Sequence, residues 1–170
     1  MDPDRRAYRS VIGRFATGVA VVTGTGSEGA VGMTTNALTS LSLEPLLLLV
    51  CFANTARTLP IVRDTRRFGV NILRAHHHEL SGVFASKLAA ERKFEAVEYA
   101  TDHGVPVLAD ALAWLVCELR ELLPGGDHTI GVGEVTAMGE DETGDPPLVW
   151  YRGRYTTVVG AEARNAPGVE

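Results

Sequence analysis

The sequence predicts a mainly β fold: a largely antiparallel barrel with flanking helices packed outside it. Short apolar runs are separated by turns that contain glycine or proline, a pattern typical of strands in antiparallel sheets. Only three segments show the three-and-four apolar spacing of amphipathic helices. Strands and helices do not alternate regularly and no internal repeat is visible, which disfavours a parallel α/β sheet and a repeat architecture.

Length and composition indicate one globular domain. The chain has 170 residues, of which 45% are hydrophobic and 22% are charged, the balance of an ordinary folded domain. We assign residues 1–160 to this domain and expect residues 161–170, which have little to bury, to form a disordered tail. The formal net charge of −5 argues against nucleic acid as a partner, because phosphates require a basic surface.

Export and membrane insertion are not predicted. The opening MDPDRRAYRS lacks the apolar core of a signal peptide, and the longest apolar run, Leu46–Ala53, is far shorter than the ~20 residues that span a bilayer. Cys51 and Cys117 both lie in apolar runs and are expected to be buried free thiols, which suits a reducing compartment. We therefore expect a cytoplasmic protein without a membrane partner.

The N-terminal half is predicted to hold two helices and four strands. The helices are Asp4–Thr17, capped by Asp2 or Asp4, and Thr58–Asp64; the strands are Val19–Thr23, Val31–Ser42, Leu46–Phe52 and Phe68–Leu73. A glycine turn joins the first two strands as a hairpin. Because Leu46–Phe52 is apolar without alternation, we expect it to be central and buried on both faces.

The C-terminal half is predicted to be mostly extended. Its expected segments are a helix at Glu79–Leu88, an irregular charged segment at Glu91–Gly104, a short extended Val105–Leu108, a polar turn at Asp141–Pro147, and strands at Ala111–Leu122, Thr129–Thr136 and Pro147–Tyr155. The length of Ala111–Leu122 also fits a helix. We favour a strand, because the turn at Pro124–Asp127 leads directly into another extended segment.

Val31–Ser42 is unusually polar for a strand between two apolar runs. It is rich in hydroxyl groups, carries the amide of Asn36, and has no charged residue. A strand that only filled a core would not need so many side-chain donors. A strand that faced a polar, ring-bearing ligand would need them, so this stretch is the first candidate binding element.

Known nucleotide-binding loops are missing from the sequence. There is no Walker-type loop and no G-x-G-x-x-G after a strand, since Gly131-Val-Gly133 lacks the third glycine. If a nucleotide binds, hydroxyl groups, amides and basic side chains must hold it.

Several clusters allow both a structural and a functional interpretation. Adjacent residues on a helix point in different directions, so His76-His77-His78 is interpreted as solvated and no metal is predicted. Arg92-Lys93 is either a solvated pair or an anion clamp. His128 is either an ordinary turn residue or a functional one, and the aromatic and basic residues from Trp150 to Tyr155 suit either ligand stacking or an edge strand.

The order and spacing of these pieces resemble the flavin reductase family, the short-chain NAD(P)H:flavin oxidoreductases that serve two-component flavin-dependent monooxygenases. The matching pieces cover residues 13–155 in the family's order: Gly13-Arg-Phe-Ala-Thr-Gly-Val19, Gly32-Met-Thr-Thr-Asn36, Thr39-Ser40-Leu-Ser42, Leu49-Val-Cys51, Phe68-Gly-Val-Asn71, Leu80-Ser81, Phe84-Ala85, Lys93-Phe94, Ala113-Trp114, Gly126-Asp-His128, Gly133-Glu-Val135 and Tyr151-Arg-Gly-Arg-Tyr155.

The resemblance implies a split β-barrel and a homodimer with flavin near the subunit interface. It also implies hydride transfer from NADH or NADPH to FMN or FAD, with reduced flavin passed to a separate oxygenase. Two other functions stay open: a flavin-binding electron-transfer module without nicotinamide turnover, and a split-barrel oxidase of a small substrate such as a pyridoxamine phosphate. The Gly-Asp-His piece and the Tyr151–Tyr155 ending disfavour the oxidase.

The resemblance also implies a set of site residues. His128 corresponds to the histidine on the nicotinamide side and is the catalytic candidate, where it would place the nicotinamide. The cofactor-binding candidates are Met33, Thr34, Thr35, Asn36, Ala37, Ser40, Ser42, Cys51, Phe52, Ala53, Thr55, Arg57, Thr58, Phe84, Lys87, Lys93, Phe94, Tyr151 and Arg154. The chain departs from the family at Thr35, Ala37 and Ala56, where alanine, serine and serine are common. Each lost hydroxyl would remove a donor worth roughly 1–3 kcal/mol if buried.

Overall fold

The computed structural model describes residues 4–158, which are mostly strand. In that part of the chain the elements are α1 (Arg5–Ile12), β1 (Thr17–Gly18), β2 (Ala20–Gly26), β3 (Gly29–Thr35), β4 (Leu38–Leu43), β5 (Leu46–Ala53), α2 (Thr58–Thr65), β6 (Arg67–Ile72), α3 (His78–Ala85), α4 (Ala90–Phe94), β7 (Tyr99–Asp102), β8 (Val105–Leu108), β9 (Ala113–Gly125), β10 (His128–Glu140), β11 (Leu148–Tyr151) and β12 (Arg154–Thr157). The mainly β class with flanking helices is therefore confirmed, while the tail predicted at 161–170 lies outside the described residues.

One seven-stranded antiparallel sheet organises the molecule. Its strand order is β3-β2-β6-β9-β10-β5-β4, so its two edges, β3 and β4, are neighbours along the chain. Only Asn36 and Ala37 join them, and so short a link reaches about 10 Å at most. The sheet must therefore curl until its edges approach each other at this end.

Apolar side chains pack on both faces of β2. Ala20 and Val22 belong to a cluster with Phe52, Phe68 and the apolar face of α2. Val19 and Val21 point the other way, into a second cluster that holds Phe84 of α3 and Phe94 of α4. The two clusters fasten α2 on one side of the sheet and the α3–α4 segment on the other.

The polar stretch predicted as one strand at Val31–Ser42 is two strands. The Thr35 hydroxyl accepts the backbone N–H of Ala37 at 3.0 Å, a local bond that interrupts the ladder. Beyond it, the N–H of Cys51 donates to the carbonyl of Ala37, and β4 then pairs with β5. The prediction of a single strand was wrong because a side-chain hydrogen bond can turn the chain without a glycine or proline.

Other boundaries differ where local turns were missed. Glu91–Gly104 is not irregular, since it contains most of α4 and all of β7. The predicted final strand Pro147–Tyr155 is a hairpin, because Arg152 and Gly153 adopt φ values of 51° and 76° and reverse the chain. The first helix starts after a cap by Asp4, whose carboxylate accepts the N–H of Ala7, as predicted, but it ends at Ile12 rather than Thr17. The third helix likewise ends at Ala85, short of Leu88.

Strand β5 is interior, as predicted, but only one of its faces is fully covered. Leu48, Val50 and Phe52 are buried, whereas Leu47 and Leu49 on the other face are half-buried. Both cysteines are free, as predicted, but only Cys117 is buried and Cys51 is half-buried. Burial raises the pKa of Cys117 to about 12. Among residues 4–158, no helix is long and apolar enough to cross a membrane.

Candidate active site

The main cavity has a volume of about 510 Å³ and lies where β3, the end of β5, the start of α2 and the α3–α4 segment meet. Its lining is Gly32, Met33, Thr34, Ala53, Thr55, Ala56, Arg57, Thr58, Phe84, Ala85, Ser86, Lys87, Leu88 and Lys93. Nine of the predicted cofactor-binding residues are in this lining. The structure thus brings together segments that are up to about sixty residues apart in the chain.

The electrostatics of the cavity suit an anion. Its basic lining residues are Arg57, Lys87 and Lys93, and none of its described lining residues is acidic. The cavity also includes Arg57 and Thr58 at the N-terminus of α2, where Arg57 occupies the cap position without a side-chain cap. A helix N-terminus presents backbone N–H groups and a partial positive charge, which favours negatively charged ligands.

Lys93 joins α4 to the wall of the cavity. Its Nζ donates to the carbonyl of Phe84 at 2.8 Å and to the carbonyl of Gly32 at 3.3 Å. An ammonium group has three protons, so one remains available for a ligand. Burial, with a smaller contribution from the charge of Arg57, lowers the pKa of Lys93.

Arg57 joins two further parts of the cavity wall. Its guanidinium group donates to the carbonyls of Leu88 at 3.3 Å and Lys87 at 3.4 Å, which holds the segment after α3 against the start of α2. Arg57 and Lys93 therefore shape the cavity as well as charge it.

A smaller cavity of about 180 Å³ adjoins the first along β3. Thr34 and Ala85 line both cavities, and the smaller one adds Val19, Thr35, Asn36, Trp150 and Tyr155. The Thr34 hydroxyl donates to the carbonyl of Ser81 at 2.7 Å, so toward a ligand it can only accept. The Thr35 hydroxyl accepts from Ala37 and keeps its own proton to donate.

Aromatic side chains form the far wall of the smaller cavity. Trp150 and Tyr155 pack edge to face with ring centroids 5.0 Å apart, and the Tyr155 hydroxyl lies 2.9 Å from Oγ of Ser81. The β11–β12 hairpin is thereby attached to α3. The final aromatic segment presents Trp150 and Tyr155 to this cavity, whereas Tyr151 and Arg154 flank the hairpin turn and line neither cavity.

His128 lies outside both described linings, at the start of β10. Its Nδ1 is 2.8 Å from Oδ1 of Asp127, and this hydrogen bond is the main reason that the pKa of Asp127 is lowered. A carboxylate at Nδ1 favours the ring form in which Nδ1 carries the proton and Nε2 keeps a free lone pair. His128 therefore offers an acceptor toward the surrounding space.

The remaining predicted residues do not line either cavity. Phe52 is fully buried against Phe68 and Phe94 packs on Phe84, so their side chains support the site from the core. Ala37, Ser40, Ser42 and Cys51 lie at or beyond the Asn36–Ala37 break and on β4 and β5. Side chains alternate between the two faces of β5, so Cys51 points away from the face that carries Phe52 and does not line the cavity.

Several lining residues were not predicted. Gly32, Ala56, Ala85, Ser86 and Leu88 line the main cavity. Ala85, Ser86 and Leu88 flank Lys87, and a helix that ends at Ala85 turns all of them toward α2. No feature of the sequence indicated that α3 ends at Ala85. In a helix that continued to Leu88, as predicted, these residues would point to different faces, so they were not recognised as one wall of a cavity.

The histidine cluster contains a carboxylate that sequence spacing did not reveal. Nε2 of His76 and Nε2 of His77 lie 3.1 and 3.0 Å from Oδ2 of Asp110. His77 is buried rather than solvated, and burial lowers its pKa. Its Nδ1 accepts the backbone N–H of Arg74 at 3.2 Å, so the ring proton resides on Nε2 and is donated to Asp110. Because Nε2 carries the proton, it has no free lone pair for a metal, and the chemistry of His77 suits a structural hydrogen bond better than metal binding.

Comparison with known proteins gives consistent matches. Residues 12–159 match the family model described as "Flavin reductase like domain". The chain is 38% identical over 156 residues to a Rhizobium meliloti protein named "Probable flavin reductase", and the match covers 91% of this chain and 49% of that protein. The chain thus spans about half the length of this relative.

Two further matches extend over most of both chains. The chain is 34% identical over 157 residues to the Mycobacterium tuberculosis protein named "Flavin-dependent monooxygenase, reductase subunit HsaB", with 91% of this chain and 83% of the relative covered. Among solved structures, "Streptomyces globisporus C-1027 NADH:FAD oxidoreductase SgcE6" is 34% identical with a TM-score of 0.85, and the match covers 92% of this chain and 94% of that chain.

Proposed function

This chain belongs to the family of flavin reductase-like domains, and on that basis we propose that it reduces a flavin with a hydride taken from a nicotinamide nucleotide. The observation that carries the proposal is the basic main cavity and its continuation along β3. Two similar proteins support the same activity by name: one is a reductase subunit of a flavin-dependent monooxygenase, and the other is an NADH:FAD oxidoreductase.

The residues of the main cavity fit the phosphate and ribityl part of a flavin nucleotide. Arg57, Lys87 and Lys93 supply positive charge, and Thr55 and Thr58 supply hydroxyl groups beside the N-terminus of α2. Phe84 provides an apolar wall. With Ala56 in place of a serine, Thr55 is the nearest hydroxyl that can take over the missing donor.

The edge strand β3 would carry the flavin ring toward the smaller cavity. Thr35 retains a hydroxyl proton to donate, while the amide nitrogen of Asn36 is held by Thr17 at 3.1 Å, which leaves its amide oxygen for a ligand N–H. These groups and the backbone around Met33 and Ala37 would orient the polar edge of the ring and stabilise charge that develops there. When bound, the flavin supplies the redox chemistry.

His128 would orient the second substrate. Its Nε2 lone pair can accept a hydrogen bond from the carboxamide N–H group of the nicotinamide, because the bond to Asp127 keeps the proton on Nδ1. Such a contact raises the fraction of bound nicotinamide that is placed for direct transfer. His128 is not assigned as a proton donor.

We also propose that the curled sheet is the split β-barrel of this family. The two-residue link between β3 and β4 keeps the sheet edges close at one end, and the missing β3–β4 pairing leaves the barrel open along one seam. The whole of residues 1–160 would form this one domain.

A homodimer would cover the apolar surface that one chain leaves exposed. Tyr8, Val11 and Phe15, in and after α1, are 65%, 71% and 71% exposed, and Leu43 and Leu46 are exposed at the β4–β5 turn. Apolar residues exposed together on one element are typical of protein–protein contacts. In such a dimer, Ser40, Ser42, Tyr151 and Arg154 would contact flavin, as predicted, by reaching it across the dimer interface.

Reduced flavin would pass to a separate oxygenase; the M. tuberculosis relative, which is named as the reductase subunit of a flavin-dependent monooxygenase, supports this arrangement. We propose NADH as the first donor to test, with NADPH as the comparison, and either FMN or FAD as acceptor. A cytoplasmic location would suit these soluble nucleotides and the two free thiols.

Anaerobic bleaching of flavin tests the proposal directly. Purified protein is mixed with FMN or FAD, and NADH or NADPH is added separately while flavin absorbance is followed. We expect rapid bleaching with at least one pair, and His128→Ala to raise the KM for the nicotinamide far more than the KM for flavin. Flavin binding without bleaching by either donor would instead identify an electron-transfer module.

A further inference from the structure

Asn54, which follows β5, connects the cavity wall to the turn that carries His128. We propose that Asn54 is a positioning residue for the nicotinamide substrate, acting through His128. The inference rests on the proposed function and deepens it. Asn54 was not among the predicted site residues, and it touches neither described cavity.

Three hydrogen bonds join Asn54 to the β9–β10 turn and to the start of β10. Its backbone N–H donates to the carbonyl of Asp127 at 3.0 Å, and its Nδ2 donates to the carbonyl of Gly126 at 3.1 Å. Its Oδ1 accepts the Thr129 hydroxyl at 2.8 Å. One residue therefore binds both sides of His128, the turn before it and the strand after it.

The turn has little else to hold it. Gly126 has φ of +73° and no described atom within 4 Å of the position a Cβ would take, so the tip stands in open space. The ladder holds His128 between Gly125 of β9 and Ala53 of β5, but the two residues before it extend beyond the sheet. Asn54 supplies the side-chain bonds that restrict their motion.

The residues on either side of Asn54 belong to the main cavity. Ala53 and Thr55 line it, and the carbonyl of Ala53 accepts the N–H of Ala56 at 2.8 Å, which makes this segment a tight turn. A single turn thus contacts the proposed flavin site through Ala53 and Thr55 and the histidine turn through Asn54. This arrangement links the position of His128 to the wall of the main cavity.

An asparagine is suited to this position because its amide is both donor and acceptor. Aspartate keeps an acceptor for Thr129 but has no proton for the carbonyl of Gly126. Alanine removes both side-chain bonds and leaves the backbone bond to Asp127. Comparing Asn54→Asp with Asn54→Ala therefore separates the two side-chain contacts.

Steady-state kinetics with NADH and FMN test the inference on the full-length protein. A net hydrogen bond contributes about 1 kcal/mol, or about fivefold in an equilibrium constant. We expect Asn54→Ala to raise the KM for NADH about fivefold or more, with the KM for FMN changed less than about twofold. Asn54→Asp and Thr129→Val should show smaller increases. Ser27→Ala, at the tip of the β2–β3 hairpin, is the matched control and should leave both constants unchanged.

A double-mutant cycle with His128→Ala distinguishes positioning from a general structural effect. If Asn54 acts through His128, Asn54→Ala should add almost nothing to the KM for NADH once His128 is alanine. The inference would be overturned if the two substitutions multiplied each other's effect on the KM for NADH, or if Asn54→Ala raised the KM for NADH and the KM for FMN equally. Wild-type protein that reduces no flavin would instead refute the proposed function itself.

Hydrogen exchange supplies a readout independent of turnover. The backbone N–H of residue 54 is bound to the carbonyl of Asp127, so its exchange reports on contact with the turn. We expect faster exchange there in Asn54→Ala and Thr129→Val, with exchange in β2 and β6 unchanged. Unaltered exchange at residue 54 would show that the side chain does not hold the turn, which also overturns the inference.

Discussion

Single residues decide which hydrogen-bond donors the site can still offer a ligand. Thr34 has already given its proton to Ser81, whereas Thr35 keeps its own. Lys93 uses two protons on the carbonyls of Phe84 and Gly32 and retains a third. Fewer side chains along β3 can donate to a ligand than the residue types alone suggest. The basic side chains of the cavity are therefore more important than these hydroxyl groups for holding an anion.

Lys93 makes flavin affinity dependent on pH. Because burial lowers its pKa, Lys93 is charged below that lowered pKa and loses its charge at a lower pH than a solvated lysine. We expect the Kd for FMN to rise as the pH increases through this range, measured by quenching of flavin fluorescence. Lys93→Met should weaken binding about tenfold near neutral pH. Lys93→Arg stays charged, so an alkaline loss of affinity that persists in this variant would contradict the assignment.

At the scale of elements, α3 can approach β3 only because residue 32 is glycine. A Cβ at Gly32 would lie 2.6 Å from Cε1 and 2.8 Å from Cδ1 of Phe84. Phe84 is 1% exposed and packs edge to face on Phe94, so its ring cannot move aside without disturbing α4. The main cavity thus depends on close packing of one helix on one strand.

Gly32→Ala should therefore damage both stability and binding. Overpacking of about 1–3 kcal/mol corresponds to a fall in Tm of about 3–10 °C for a chain of this size, and FMN affinity should fall with it. Gly82→Ala is the matched control within α3: Gly82 is exposed with no described atom near its Cβ position, so its Tm should be unchanged or slightly higher. Equal Tm values for the two variants would contradict this packing argument.

Arg74 attaches the loop before β11 to the end of β6. Its guanidinium group, only 5% exposed, lies 3.0 Å from Asp110 and 2.7 Å from Asp145 and also contacts Asp141. Thr143 accepts a further bond at 2.8 Å. One buried cation thus holds three carboxylates from two segments of the chain.

Removal of this cation should destabilise the fold in a pH-dependent way. The pKa of Asp141 is lowered mainly by its hydrogen bond with Arg74, and the pKa of Asp110 mainly by its bond with His76. Carboxylates with lowered pKa values stabilise the folded state above their unfolded pKa, and this stability is lost as the pH falls through the folded pKa. We expect Arg74→Met to lower Tm by about 5 °C at neutral pH.

The measurement is Tm as a function of pH for the wild type and Arg74→Met. Their difference should shrink below about pH 4, where the carboxylates protonate. A difference that stayed constant down to low pH would show that Arg74 contributes through packing rather than charge.

At the scale of the whole molecule, the exposed apolar face of α1 predicts association. Within residues 4–158, nothing packs closely enough on α1 to bury any of its eight residues. A surface helix normally buries its apolar stripe against another element, so the uncovered stripe of α1 indicates a contact with another molecule. The half-covered face of β5 also indicates that another molecule packs against this protein.

Val11→Glu should convert the proposed dimer to a monomer. Val11 is 71% exposed on one chain, and a carboxylate buried at an interface without a partner costs several kcal/mol. Sedimentation velocity gives the mass, and Ser10→Glu, which introduces the same charge at the neighbouring position, is the control. A wild type that sediments as a monomer at micromolar concentration would refute the dimer.

Most of the fold could be predicted because its signals are local. The turn at Pro124–Asp127 identified β9 and β10 as strands, the glycine turn identified the β2–β3 hairpin, and Asp4 identified the start of α1. The errors occurred where local chemistry was ambiguous: Thr35 ended a strand that looked continuous, and Arg152 adopted a positive φ that its residue type seldom shows.

The candidate site could be predicted in part. Nine predicted residues line the main cavity, and Thr34 with Thr35 and Asn36 line the smaller one. The sequence by itself determined the class of fold, the polar edge strand and the basic residues, since each follows from residue type and spacing along the chain. Only the tertiary structure decided that Asn54 binds the turn at His128, that His77 meets Asp110, and that Lys93 reaches Gly32. Each of these polar groups could have bonded many partners, and the curl of the sheet selects the one that it brings within hydrogen-bond distance.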